Sequence, residues 1–252
     1  TKIGPKTRLE VITHGVLLRM LQSDPSLEGV GAVIFDEFHE RSLDSDLSLA
    51  MCLQGRELLR DDHPLKLIVM SATLDAQSVS QLLGNAPVIV SQGRQFPVST
   101  HHLGPAPNRY QLQDQLHHAV AQALANHSGS ILVFLPGQGD IRQALTRLTD
   151  LSSTHVALLP LFGDLTIDQQ QQAIAPSKSG HRKIVLATNI AETSLTIDGV
   201  RIIVDSGLAR RARYDRAAGV ARLVTERVSQ AAATQRAGRA ARQQPGIAYR
   251  LW

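Results

Sequence analysis

The sequence predicts an α/β protein made of two similar parallel-sheet units in tandem, and three observations carry that reading. Short apolar runs rich in β-branched residues recur along the 252 residues, amphipathic segments of helical period lie between them, and one Gly- and Pro-containing stretch interrupts the alternation. Apolar runs without polar alternation suit strands buried on both faces, and intervening helices supply the cover for those faces. In chain order the expected strands are Ala-Val-Ile-Phe at 32–35, Leu-Ile-Val-Met at 67–70, Val-Ile-Val at 88–90 and Ile-Leu-Val-Phe at 131–134. Val-Ala-Leu-Leu at 156–159, Ile-Val-Leu-Ala at 184–187 and Ile-Ile-Val at 202–204 complete the set. Helical patterns fill 43–59, 111–124 and 138–148. The stretch 91–97, Ser-Gln-Gly-Arg-Gln-Phe-Pro, disfavours both helix and central strand, so the boundary falls there, with a first domain at 1–92 and a second at 93–252.

Composition removes several classes of protein. No run of eighteen apolar residues exists, and the opening Thr-Lys-Ile-Gly-Pro-Lys-Thr-Arg has no apolar stretch behind its charges. That pattern predicts neither a membrane span nor a signal peptide, and a cytoplasmic protein is expected. The single cysteine, Cys52, lies in the apolar run 47–53 and reads as a core residue. The adjacent pairs His101-His102 and His117-His118 lack a Cys or carboxylate set to complete a metal site, and neighbours on a strand or helix point apart. Between residues 181 and 242 twelve Arg and Lys face five Asp and Glu. Arginine suits bidentate capture of phosphate, so a polyanionic partner is expected, with a solvated basic face as the alternative.

Chemistry concentrates where strands end. The run 32–35 leads directly into Asp36-Glu37-Phe38-His39, and in parallel α/β sheets ligands gather at the carboxyl ends of strands. An Asp there can hold Mg²⁺, and a neighbouring Glu can take the proton of an attacking water. Downstream follow Ser71-Ala72-Thr73, which alone would read as a helix N-cap, then 187–197, Ala-Thr-Asn-Ile-Ala-Glu-Thr-Ser-Leu-Thr-Ile, and then 235–242, Gln-Arg-Ala-Gly-Arg-Ala-Ala-Arg. Gln235, Arg239 and Arg242 stand at spacings of four and three, which a continuous helix would present on one face.

With these motifs in this order the chain closely resembles the DEAH group of superfamily 2 helicases. The segments match that group's motifs II, III, V and VI, and Ile-Thr-His-Gly-Val-Leu-Leu at 12–18 matches motif Ib. Asp-Glu-Phe-His followed by Glu-Arg-Ser, and Asp-Ser-Gly-Leu-Ala-Arg at 205–210, are similar to the bacterial HrpB-type branch. The resemblance implies two RecA-like domains with ATP and Mg²⁺ as cofactors, and RNA or single-stranded nucleic acid as the partner. It implies metal binding by Asp36 and, through water, by Glu37, which also acts as base. His39 would link hydrolysis to the second domain, and Ser71 and Thr73 would couple the two activities. Gln235 would place the water, Arg239 and Arg242 would meet phosphates with Arg242 as the arginine finger, and Asp198 would lie near the nucleotide. Thr13, Gly15, Thr188 and Asn189 would touch nucleic-acid phosphate and sugar, with little sequence preference. The stretch near 209–224 resembles the group's β-hairpin.

Some positions depart from the group's pattern. His14 stands where an acid is usual, Ala241 replaces the last glycine of motif VI, and Leu-Pro-Gly-Gln-Gly-Asp at 135–140 is an unusual motif IV. The phosphate-binding loop Gly-x-x-x-x-Gly-Lys-Ser/Thr does not occur in the chain. The expectation is therefore an internal fragment of a helicase, the first domain truncated at its N-terminus. The chain on its own would then be inactive, and the strand at 67–70 would lack one neighbour. A nucleic-acid-binding module that keeps the fold without turnover, and a DNA translocase, are the alternatives.

Overall fold

Helix α1 (His14–Ser23), strand β1 (Ala32–Phe35), helix α2 (Leu43–Leu58), strand β2 (Lys66–Val69) and helix α3 (Ala76–Leu82) follow one another in the first of two units, Thr1–Gln92. The structure, a computed structural model, describes residues 4–60, 62–71, 76–91, 96–106, 108, 111–192, 195–216 and 218–252. Strands β1 and β2 are parallel, in register from Ala32 opposite Lys66 to Phe35 opposite Val69. Helix α2 starts on Ser42, whose hydroxyl accepts the Ser45 N–H at 3.1 Å, and Asp44 and Asp46 in its first turn favour the helix dipole. Leu17 and Leu21 of α1, Leu49 and Cys52 of α2, and Phe35, Phe38 and Leu65 close a small core. Burial pushes the Cys52 thiol up to about 11, as for an inert core cysteine.

The run 88–90 is not a strand. Val88 is 47%, Ile89 93% and Val90 74% exposed, and no ladder is formed there. β-branched composition marks a segment able to sit in a sheet, but a strand exists only where a neighbour takes its backbone donors and acceptors.

The second unit, Gly93–Trp252, holds β3 (Val98–His102), α4 (Leu112–Asn126), β4 (Ser130–Phe134), α5 (Gln138–Arg147), β5 (Val156–Leu161), α6 (Ile167–Ile174) and β6 (Arg182–Ala187). Then come β7 (Val200–Asp205), β8 (Leu208–Asp215), β9 (Val220–Arg227), α7 (Gln230–Gly238) and β10 (Gly246–Arg250). Six strands form one parallel sheet in the order β3-β10-β7-β4-β6-β5, while β8 and β9 pair separately as an antiparallel hairpin. The α/β parallel architecture expected from the sequence is present. Two of its strands escape the apolar-run criterion, because β3 (Val-Ser-Thr-His-His) lies at an edge with mostly exposed side chains and β10 opens on Gly246.

Both faces of the sheet are covered, as strand alternation requires. Ile131 and Val133 of β4, with Ile184, Leu186, Ile202 and Val204, pack on α4 and α5 through Leu116, Val120 and Ile141. Leu132 and Phe134, with Val185, Ala187 and Ile203, face the other way onto Ala173 of α6 and Ala237 of α7. Helix α6 is fixed at both ends: Thr166 and Gln169 form a capping box, and the buried Lys183 ammonium donates to the carbonyls of Ala173, Ile174 and Ala175 at 2.8, 3.2 and 2.5 Å.

The units differ in how well their sheets are protected. In the first, β2 has only β1 beside it among the described strands, and Ile34 and Ile68 are about half exposed. A two-stranded sheet with open edges is marginal in water. Hydrogen exchange followed by mass spectrometry should therefore find the amides of β1 and β2 exchanging at least about a hundredfold faster than those of β4, β6 and β7, reflecting local opening well below global unfolding. Equal protection of the two strand sets would contradict this.

Candidate functional site

At the carboxyl end of β1 the chain turns sharply. Glu37 adopts φ 50° and ψ 37°, a left-handed conformation uncommon for a residue with a side chain, and Asp36 Oδ1 accepts the Glu37 N–H at 2.8 Å. The turn is held from below by Phe38, which is buried and meets the ring of Phe35 edge-on at 6.1 Å. Arg41, also at positive φ, lies over the Phe38 ring and grips Asp46 with two guanidinium nitrogens. Burying Phe38 leaves Asp36 exposed and the Glu37 carboxylate one-third exposed, while the His39 ring is 7% exposed with its Nδ1 3.5 Å from Glu37 Oε2.

The same turn is tied to the end of β2. Met70 N–H donates to Phe35 O at 2.8 Å and Phe38 N–H to Met70 O at 3.0 Å, which brings the exposed Ser71 to the segment that carries Asp36 and Glu37. Thr73 lies outside the described residues. Thr13 is the exposed N-cap of α1, and its side chain makes no capping bond to that helix. Gly15 sits in the first turn of α1, where an added Cβ would stand 3.6 Å from a carboxylate oxygen of Asp44.

In the second unit α7 ends at Gly238 and the chain tightens into a 3-10 turn, Arg239–Ala241. Gln235, Arg239 and Arg242 thus do not lie on one continuous α-helix, a correction to the sequence reading: Gln235 is on α7, whereas Arg239 opens the 3-10 turn and Arg242 follows it. Arg239 donates to the carbonyls of Glu192 and Leu195 at 2.7 and 2.9 Å, and Arg242 donates to the hydroxyl of Thr196. Gln235 is half-buried on the last turn of α7. Ala241, the extra methyl between the two arginines, is buried, whereas Arg242 is exposed.

The loop those arginines hold begins at the carboxyl end of β6. Thr188 and the exposed Asn189 open a short 3-10 turn there, Thr188 N–H bonding to Leu161 O at 3.3 Å. Asp198, half-buried, closes the loop before β7. Burial pushes the Lys183 amine down to about 8, and the charge of Asp198 opposes that shift. On the hairpin, the register puts Arg211, Arg213 and Arg222 on one face with Glu226 and Asp215. Tyr214 and Leu223 stand exposed on the other.

A further group has no assigned role in the motif reading. Arg236 is fully buried; its Nε donates to Glu192 at 3.0 Å, its Nη1 to Asp205 at 2.8 Å and to Leu208 O at 3.2 Å, and its guanidinium lies 4.8 Å from the Phe134 ring centre. Burial pushes the Asp205 carboxyl up, and Arg236 and the Gly207 N–H oppose it. The signal was available in the sequence. Ala232, Ala233, Ala237 and Ala240 mark the buried side of this segment, and a charge at position 236 falls on that side.

Among the described residues no group of three or more His, Cys, Asp and Glu could hold a metal ion by itself, and no helix is long and apolar enough to cross a membrane. One exposed carboxylate still fits Mg²⁺, which keeps several waters and is bound by one or two carboxylates together with substrate phosphates.

Comparison with known proteins gives a consistent picture. A family described as the helicase conserved C-terminal domain matches residues 112–244. The chain is 53% identical over 249 residues to the ATP-dependent RNA helicase HrpB of Escherichia coli, covering 99% of this chain and 30% of that protein. It is 39% identical over 253 residues to the ATP-dependent RNA helicase HrpA homolog of Haemophilus influenzae, covering 100% of this chain and 19% of that one. A crystal structure of the Escherichia coli DEAH/RHA helicase HrpB superposes with a TM-score of 0.91 over 99% of this chain and 31% of its own. The chain therefore spans less than a third of the length of these relatives.

Proposed function

Because the chain belongs to the helicase conserved C-terminal domain family, we propose that it is part of an ATP-dependent RNA helicase of the DEAH group, which couples NTP hydrolysis to movement on or unwinding of nucleic acid. The observation that supports this most is the pair of carboxylates at the end of β1, kept accessible by a turn whose left-handed residue is Glu37 itself. Conformations of this kind concentrate at functional sites, where the surrounding structure maintains them.

In this reading Asp36 holds Mg²⁺, and the ion when bound supplies charge neutralisation at the phosphate oxygens. Glu37, ionised and part-exposed, takes the proton of the attacking water, and His39 beside it limits where that carboxylate can swing. Gln235 orients the water. Arg239 and Arg242 stabilise the charge that spreads over the transferred phosphoryl group, Asp198 stands near the nucleotide, and Ser71 and Thr73 relay its state. Thr13, Gly15, Thr188 and Asn189 bind phosphate and sugar of single-stranded RNA. Arg239 and Arg242 donate to loop carbonyls and the Thr196 hydroxyl, so this loop carries donors of the kind that phosphate oxygens accept.

The test is ATP hydrolysis by the full-length protein that contains this chain, with Mg²⁺, in the presence and absence of single-stranded RNA. RNA should raise turnover to about 1 s⁻¹ or more. Unrelated RNA sequences should bind with similar affinity and a clearly negative log-log salt slope, as backbone contacts dictate. Turnover raised by DNA and not RNA, or strong discrimination among RNA sequences, would overturn the reading.

A further inference from the structure

Glu192 is joined to the motif VI segment twice: its carboxylate takes Arg236 Nε at 3.0 Å, and its backbone carbonyl takes Arg239 Nε at 2.7 Å. Its own N–H donates to Asn189 O at 2.9 Å, so only one short turn separates it from the residues expected on nucleic acid. Arg236 in turn reaches Asp205, at the end of β7, and the carbonyl of Leu208, the first residue of the hairpin. A fully buried guanidinium that serves only to fill space is a poor choice, because well-packed apolar residues replace buried ion networks with little or no loss of stability. What an ionic cluster adds is geometry: the planar fork of Arg236 fixes the directions of two carboxylates and a carbonyl from three separate segments at once.

We propose that Arg236 is a positioning residue which, through Glu192 and Asp205, locks the loop after β6, the turn bearing Arg239 and Arg242, and the base of the β8–β9 hairpin into one unit, so that nucleic acid held at Thr188 and Asn189 sets the placement of the two phosphate-directed arginines. The proposal rests on the helicase reading above. It makes Arg236 and Glu192 determinants of RNA stimulation and leaves ATP binding and unstimulated hydrolysis to other groups.

The experiment uses the full-length protein and its Glu192→Gln and Arg236→Lys variants. Glu192→Gln keeps the shape and the backbone carbonyl but removes the charge that Arg236 needs. Arg236→Lys keeps a charge but lacks the planar fork that holds Glu192 and Asp205 in fixed directions. Melting temperature and the kcat and KM for ATP are measured with and without saturating single-stranded RNA. In each variant the stimulation by RNA should fall about tenfold or more, inside the usual range of coupling between sites, with KM for ATP within about twofold and RNA-free turnover retained. Lower melting temperatures with undiminished stimulation would reduce the cluster to a structural brace and overturn the proposal. Should Arg236→Lys fail to fold, Glu192→Gln, whose carboxylate is 15% exposed, decides alone. A wild-type protein whose turnover RNA does not raise overturns the proposed function, and this inference with it. Wild-type stimulation that both variants retain overturns the inference only.

Discussion

Replacing Arg242 by Ala in the full-length protein should lower RNA-stimulated ATP turnover by about 10³- to 10⁵-fold, the usual worth of an arginine finger, or roughly 4 to 7 kcal/mol of transition-state stabilisation. The size follows from when the interaction is made. A guanidinium that meets phosphate oxygens only as charge develops on them contributes to kcat and little to ATP binding. The structure adds a reason to expect little loss of stability, since Arg242 is exposed and donates to the hydroxyl of Thr196, which is itself exposed. Arg242→Lys should recover only a small part of the activity, because an ammonium lacks the planar fork that spans two oxygens. Steady-state kcat and KM for ATP, with melting temperature as the control for folding, check this. Turnover within about tenfold of wild type in Arg242→Ala would assign the role to another residue.

Glu37→Gln should lower kcat by at least about a hundredfold with KM for ATP nearly unchanged, the range for loss of a general base. The substitution is well matched to the site. Glutamine has the shape of glutamate and tolerates the left-handed backbone no worse, so the turn that Phe38 anchors should persist and Asp36 should keep its bond to the residue 37 N–H. What is lost is the basicity of the carboxylate that takes the water's proton. Near-normal turnover would remove Glu37 from that role, and a large rise in KM would make it a binding group instead.

The sequence by itself determined the parts of this protein that depend on local pattern. Continuous apolar runs marked β1, β2, β4, β5, β6 and β7, because strands buried on both faces admit no polar alternation. Asp36 and Glu37 were legible for a similar reason: a carboxylate pair directly after such a run must emerge at the end of a strand. The order of motifs then pointed to the helicase family that the comparison reports.

Only the tertiary structure decided the rest. The run 88–90 has the composition of a strand but is exposed, since pairing depends on a partner that composition does not specify. Edge strand β3, polar and exposed, exists because Val98 to His102 find the backbone of β10 beside them, a contact made across nearly 150 residues of chain. The same holds for charge. Gln235, Arg239 and Arg242 carried the motif reading, yet it is Arg236, inside α7, that enters the core, while Arg239 and Arg242 hold the loop after β6. The alanines around it mark position 236 as inward-facing, but that a charge can stay there follows from where Glu192 and Asp205, some forty and thirty residues away, place their carboxylates. A lone buried charge is too costly to persist without such partners, and periodicity carries no information about long-range partners.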